Sequence, residues 1–156
     1  LPAPGFATVR MVYQRSRYEH EAFAYAQWVD TLPGMFRASV IQTLEEIGLF
    51  SDVVAAPSPQ APDYRLETRD LAVLQRFDGD RSEVEVSVRV RVIDAVDRKL
   101  LGARDFSATA DAEPTPAGGV AAAHVALGEV LTELSRYLIG RIGEAGETAD
   151  SRRKAR

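Results

Sequence analysis

Two histidines are present, and neither stands in a set that does recognisable chemistry. His20 lies between Glu19 and Glu21, a trio whose residue types suit an oxygen-liking metal. On a strand, however, the two glutamates share one face and the histidine takes the other, so the trio reads as a solvated turn. His124 follows Ala121, Ala122 and Ala123 at the border of an apolar helical stripe, where an imidazole is half-buried rather than a ligand. With no cysteine in the chain, disulfides, thiolate metal sites and cysteine nucleophiles are excluded. There is no nucleophile elbow, no phosphate-binding glycine loop ending in lysine and no dinucleotide-binding glycine turn. Gly118-Gly119 is the one glycine pair, placed where a loop meets the last helix. Free helix N–H groups there could hold an anion, but with no cationic side chain nearby the pair reads as a flexible turn. The carboxylates Glu45-Glu46 and Glu83 with Glu85 fall on exposed faces, where charge serves solvation. No catalytic residue, metal site or cofactor is assigned, and the chain reads as a non-enzyme.

The remaining candidates are aromatic. Tyr13, Tyr18, Phe23, Tyr25 and Trp28 crowd one short span. Tyrosine and tryptophan dominate contact hot spots, so this span is the candidate partner-binding surface. Phe23 and Trp28 also suit the core under the first helix, whereas an alternating strand must turn some of the tyrosines outward.

Those residues need elements to hold them. Thr8 to Tyr13 and Ala22 to Trp28 alternate as strands, with the polar run Gln14 to Glu21 as the turn between them. Asp30 or Thr31 then offers a helix cap, and Pro33 suits a first turn. Phe36, Val40, Ile41, Leu44 and Ile47 recur at helical spacing, and Gly48 followed by Leu49 and Phe50 has the form of a left-handed cap with its hydrophobic contact. Residues 55–62 hold three prolines and form an extended loop.

In the second half, Tyr64, Leu66 and Thr68 share a face, and the apolar positions shift by one at Leu71 and Val73. A strand with a bulge near Arg69 and Asp70 follows. After the turn Asp78-Gly79-Asp80, valines 84, 86, 88, 90 and 92 alternate with Glu83, Glu85, Ser87, Arg89 and Arg91. One buried and one wet face mark an antiparallel sheet. Leu100 to Ala110 returns as the next strand of a three-stranded meander, Asp111 to Ala117 is a second proline loop, and Val120, Ala123, Leu127, Val130, Leu131, Leu134 and Leu138 define a closing helix that ends near Gly140. The fold class expected is α+β: a two-layer domain with an antiparallel-rich sheet (N-terminal hairpin, helix, three-stranded meander, helix) and two helices on one face. Residues 1–7 read as a linker, 8–142 as the domain and 143–156 as a disordered basic tail.

The 156 residues are 46% hydrophobic and 27% charged, the proportions of one ordinary domain large enough for a real core. Of the 19 cations, four lie in residues 151–156, and the other 15 face 23 anions, leaving a body of −8. A body so acidic repels phosphate backbones, so nucleic acid is not expected as a partner. No run approaches the roughly 20 apolar residues of a membrane span. The chain opens at Leu1 without an initiator Met or a signal segment, and so reads as a processed or trimmed piece.

The order of several short segments resembles a known family. Tyr25-Ala26-Gln27-Trp28-Val29-Asp30, then a proline, an amphipathic helix and Gly48-Leu49-Phe50, is similar to the auxiliary lipoproteins of ABC-type transport systems. Asp63-Tyr64-Arg65-Leu66 resembles that family's second-half strand, and Val90-Arg91-Val92-Ile93-Asp94-Ala95 before Phe106 resembles its hairpin. Gly118 to Ala123 leading into Leu127, Val130, Leu131 and Leu134 is similar to its closing helix. The resemblance implies a periplasmic lipoprotein, usually anchored to the outer membrane, serving a mammalian-cell-entry type lipid transport system. It implies a barrel-forming periplasmic partner, and a lipid-bearing cysteine upstream of Leu1, so that membrane contact comes through that anchor. A soluble lipid carrier, with an apolar cavity between helices and sheet, is the alternative, which makes lipid a second candidate partner. A homo-oligomer stays open.

Overall fold

The computed structural model describes residues 10–16, 19–27 and 32–155, with side chains from residue 32 onward except 149, 152 and 153. The elements in chain order are β1 (Arg10–Ser16), β2 (Glu19–Gln27), α1 (Leu32–Ile47), β3 (Tyr64–Asp78), β4 (Arg81–Asp94), β5 (Lys99–Ala112) and α2 (Pro116–Lys154). The strands form one sheet in the order β2-β1-β3-β4-β5. Every pairing is antiparallel except β1 with β3, which is parallel over Tyr13↔Gln75 and Gln14↔Arg76. The domain is α+β, with both helices on one face of the sheet as the patterning requires.

Valine alternation sets that face. Val84, Val86, Val88, Val90 and Val92 are each at most 2% exposed, because both helices cover this one face, α1 with Phe36, Val40 and Leu44 and α2 with Val130, Leu134 and Leu138. Fully burying one such side chain contributes about 1.5–3 kcal/mol, so the valine row supplies a large part of the driving force of the fold. The opposite face is wet and carries ion pairs between neighbouring strands. Arg91 meets Glu67 at 3.1 Å, Arg89 meets Asp105 at 3.2 Å, and Arg76 bridges to Glu83 and Glu85.

Local irregularities follow from the sequence. The strand shift lies between Arg69↔Arg89 and Ala72↔Ser87, where β3 spends one residue more than β4. Asp70 sits in that bulge at φ +54°, a left-handed conformation that aspartate tolerates better than most residues. Gly48 (φ +68°) closes α1, its N–H donating to Glu45 O, and Phe50 turns back edge-on against Tyr64. Phe50 packs against the core while Leu49 is exposed, so one of the two residues after the glycine makes the hydrophobic contact. Asp94 Oδ1 accepts from the N–H groups of Val96 and Asp97 and so shapes the turn into β5.

The structure corrects three expectations about the extent of the elements. Most of Gln14 to Glu21 is strand rather than turn: β1 runs to Ser16 and β2 resumes at Glu19, because backbone pairing such as Gln14↔His20 outweighs the polarity of the side chains. The second proline loop is also shorter than expected, since β5 reaches Ala112 and α2 begins at Pro116. Finally, α2 does not end near Gly140, and its helical backbone continues through most of the segment read as a disordered tail. Once a packed helix exists, each added residue gains a hydrogen bond without a new nucleus. Arg141–Glu144 and Asp150–Lys154 pairs at helical spacing support the extension. The cap residues Asp30 and Thr31 and the linker 1–7 lie outside the described residues.

Candidate functional site

β2 is one outer strand of the sheet and β5 the other, so protein docking by strand addition has two edges to consider. Of the five aromatic candidates, Phe23 and Tyr25 stand two residues apart on β2, and Tyr13 lies on β1, opposite Glu21 on one side and Gln75 on the other. Tyr18 and Trp28 lie outside the described residues. The backbone therefore brings three of the five to the β1–β2 hairpin at one side of the sheet.

His20 is on β2 opposite Gln14, within a strand rather than the expected turn. His124 is exposed on α2 rather than half-buried, since the helix buries Ala122, Ala123 and Ala126 and turns position 124 outward. Among the described residues, no group of three or more His, Asp or Glu side chains is placed to hold a metal ion. No helix there is long and apolar enough to cross a membrane.

Gly118 and Gly119 form part of the first turns of α2 and are shaped by close packing rather than by flexibility. A Cβ at Gly118 would strike the Glu113 carbonyl, and one at Gly119 would overlap the Gln75 amide. Thr115 caps the helix, its Oγ1 accepting from Gly118 N at 3.0 Å, and Gly119 N donates to Thr115 O. These bonds satisfy two of the N–H groups an anion would need.

Gln75 was not singled out by the sequence reading. It is 4% exposed, and its Nε2 donates to Ser82 Oγ at 2.8 Å and lies within reach of the carbonyls of Glu113 and Thr115. It therefore ties the end of β3 to the start of β4 and to the β5–α2 junction. The signal was present: after the bulge, Val73, Gln75 and Phe77 share one face, and Gln75 is the polar member.

Between α1, α2 and the β3–β4 pair lies an apolar cavity of about 50 Å³, lined from α1 by Leu32, Met35 and Phe36 and from β3 by Leu71 and Val73. Drug-sized ligands occupy roughly 300–1,000 Å³, and one water takes about 30 Å³ of liquid. The space fits a packing defect and is far below the volume of an acyl chain.

A family model described as the ABC-type transport auxiliary lipoprotein component matches residues 6–135. The chain belongs to this family. The matched span takes in all five strands, α1 and the packed first half of α2. Within it, the family-like segments have concrete structural roles: Gly48-Leu49-Phe50 ends α1, Asp63-Tyr64-Arg65-Leu66 opens β3, and Val90 to Ala95 leads into the β4–β5 turn. Two solved structures share the fold. A protein of Xanthomonas campestris is 19% identical with a TM-score of 0.81, over 91% of this chain and 81% of that one. An uncharacterised protein is 20% identical with a TM-score of 0.64, over 85% and 83%. No curated protein matches the chain significantly.

Proposed function

We propose that the chain is a non-enzymatic auxiliary subunit of a mammalian-cell-entry type lipid transport system. It works in the periplasm, held near the outer membrane by a lipid anchor, and docks on the system's barrel-forming periplasmic component. Family membership over residues 6–135 is the observation that carries this reading. Docking runs along the β2 edge, where Phe23 and Tyr25 stand, with Tyr13 on the adjoining strand and Tyr18 and Trp28 next to them in sequence. An outer strand offers unpaired backbone groups, and aromatics add contact area at low entropic cost.

The soluble-carrier alternative needs room for an acyl chain between helices and sheet, and the cavity of about 50 Å³ there favours the docking reading. The test is recovery of the barrel-type partner with Tyr25→Ala and Trp28→Ala variants whose circular dichroism is unchanged. Docking through this edge predicts at least a tenfold loss of partner. Undiminished recovery with a folded double variant would refute it.

A further inference from the structure

Among the described residues only one face of the sheet is covered, since both helices pack on the valine side. The other face is charged, and its charge is ordered. Along β4 the outward residues read Glu83, Glu85, Ser87, Arg89 and Arg91, with two acids before one small residue and two bases after it. Register sets their neighbours: Ala72 and Ser107 flank Ser87, Arg76 flanks Glu83, and Glu67 flanks Arg91. A row of three small side chains therefore crosses the middle of the sheet, with the β4 acids on one side of it and the β4 bases on the other.

This pattern is its own complement. Turning a second copy by half a revolution about the small row lays sheet on sheet, keeps each strand over its counterpart and reverses its direction. Residues equally far from the row, on opposite sides of it, then meet. Glu85 meets Arg89, Glu83 meets Arg91, Arg76 meets Glu67, and Asp78 beside the first turn meets Arg65. Each contact occurs twice, as an isologous interface requires. The other charges, Arg69, Asp105 and Asp111, fall opposite Leu74, Thr109 and Ala103, and Arg81 falls opposite Ile93, so no like charges meet. The pairs within one copy, Arg91 with Glu67, Arg89 with Asp105 and Arg76 with Glu85, are kept, and stacking joins them into networks without burying a bare charge.

We propose that this face is the interface of a two-fold dimer, in which a second copy of the chain stacks sheet to sheet across the row Ala72, Ser87 and Ser107. The order of charge fixes the register, and the small row lets the two sheets approach at the axis. Three strands about 4.8 Å apart, matched along most of their length, present roughly 600 Å² a side before β1 and β2 are counted, approaching the roughly 800 Å² per partner of a standard interface. The stacking leaves the β2 edge free and does not depend on which transport partner that edge engages.

Sedimentation equilibrium of the whole chain tests this. At about 100 μM and low salt the chain is expected to be dimeric, with at least a tenfold weaker association at about 0.5 M salt, where solvated charges are screened. The double variant Arg89→Glu and Arg91→Glu makes the β4 row wholly acidic, and Glu83→Arg with Glu85→Arg makes it wholly basic. Each alone is expected to be monomeric, and an equimolar mixture of the two to recover a dimer holding one of each. Ser87 lies on the axis and meets its own copy, so Ser87→Arg sets two cations against each other and is expected to break the dimer with the circular dichroism unchanged. That variant decides the question should the double variants fail to fold. A monomeric parent at about 100 μM and low salt, association unaltered by folded Ser87→Arg, or folded charge variants that stay apart when mixed would overturn the proposal.

Discussion

Gln75 Nε2 donates to Ser82 Oγ at 2.8 Å beside the β5–α2 junction, and the same amide fills the space that a side chain at Gly119 would need. One residue on β3 thus sets how closely α2 approaches the sheet. Gln75→Ala is expected to cost about 1–2 kcal/mol, since it takes the donor from the buried Ser82 Oγ while also removing Gln75 Oε1, which is buried without a hydrogen-bond partner. Gly119→Ala is expected to cost about 1–2 kcal/mol, overpacking outweighing the helix propensity gained. In the Gln75→Ala background its sign should reverse. Urea unfolding of the double-mutant cycle checks this, and simple additivity would contradict it.

The bulge at Asp70 gives a backbone prediction. At φ +54° a β-branched residue is strained, so Asp70→Val is expected to cost about 1–2 kcal/mol. Asp70→Gly should stay within about 0.5 kcal/mol of the parent, since relief of strain offsets added chain entropy. Thermal unfolding of the two variants discriminates them.

Glycines separate by what surrounds them. Gly140 faces open space, so Gly140→Ala is expected to stabilise the helix by about 0.5–1 kcal/mol. Another alanine substitution, at Gly102 on β5, would drive a methyl into the Tyr137 hydroxyl and is expected to destabilise by about 1–3 kcal/mol. Circular dichroism melts of both variants report the opposite signs.

Within the valine row, Val90 is fully buried. Val90→Ala leaves a cavity that α1 and α2 cannot both close, and is expected to cost about 2–3 kcal/mol. By contrast, Glu67→Gln on the wet face should cost less than about 1 kcal/mol, because the pair it breaks with Arg91 is partly solvated. Chemical denaturation of the two proteins gives the comparison.

Much of this architecture is legible in the residues because local rules and burial agree. The strict alternation of Val84 to Val92 names its own face, the shift between Thr68 and Leu71 marks the bulge, and Gly48 marks the end of α1. What was not legible depends on partners distant in sequence. The parallel contact of Tyr13 with Gln75 joins strands separated by α1 and a proline loop, and no local pattern encodes it. Gly118 and Gly119 look like a loose turn until Glu113 and Gln75 are seen against them. Residues 143–154 lack an apolar face, and their helix depends on continuation from the packed turns before them. In the aromatic cluster, it is the sheet order that places Phe23 and Tyr25 on an outer strand.

The central claim is that this family member docks on transport machinery rather than carrying lipid itself. The most direct measurement is affinity recovery of the full-length gene product from fractionated cell envelopes, followed by mass spectrometry of the proteins and lipids bound to it. The account predicts recovery with the outer membrane, together with a barrel-forming periplasmic partner and without a stoichiometric lipid. Recovery as a free soluble protein holding one lipid per chain would contradict it.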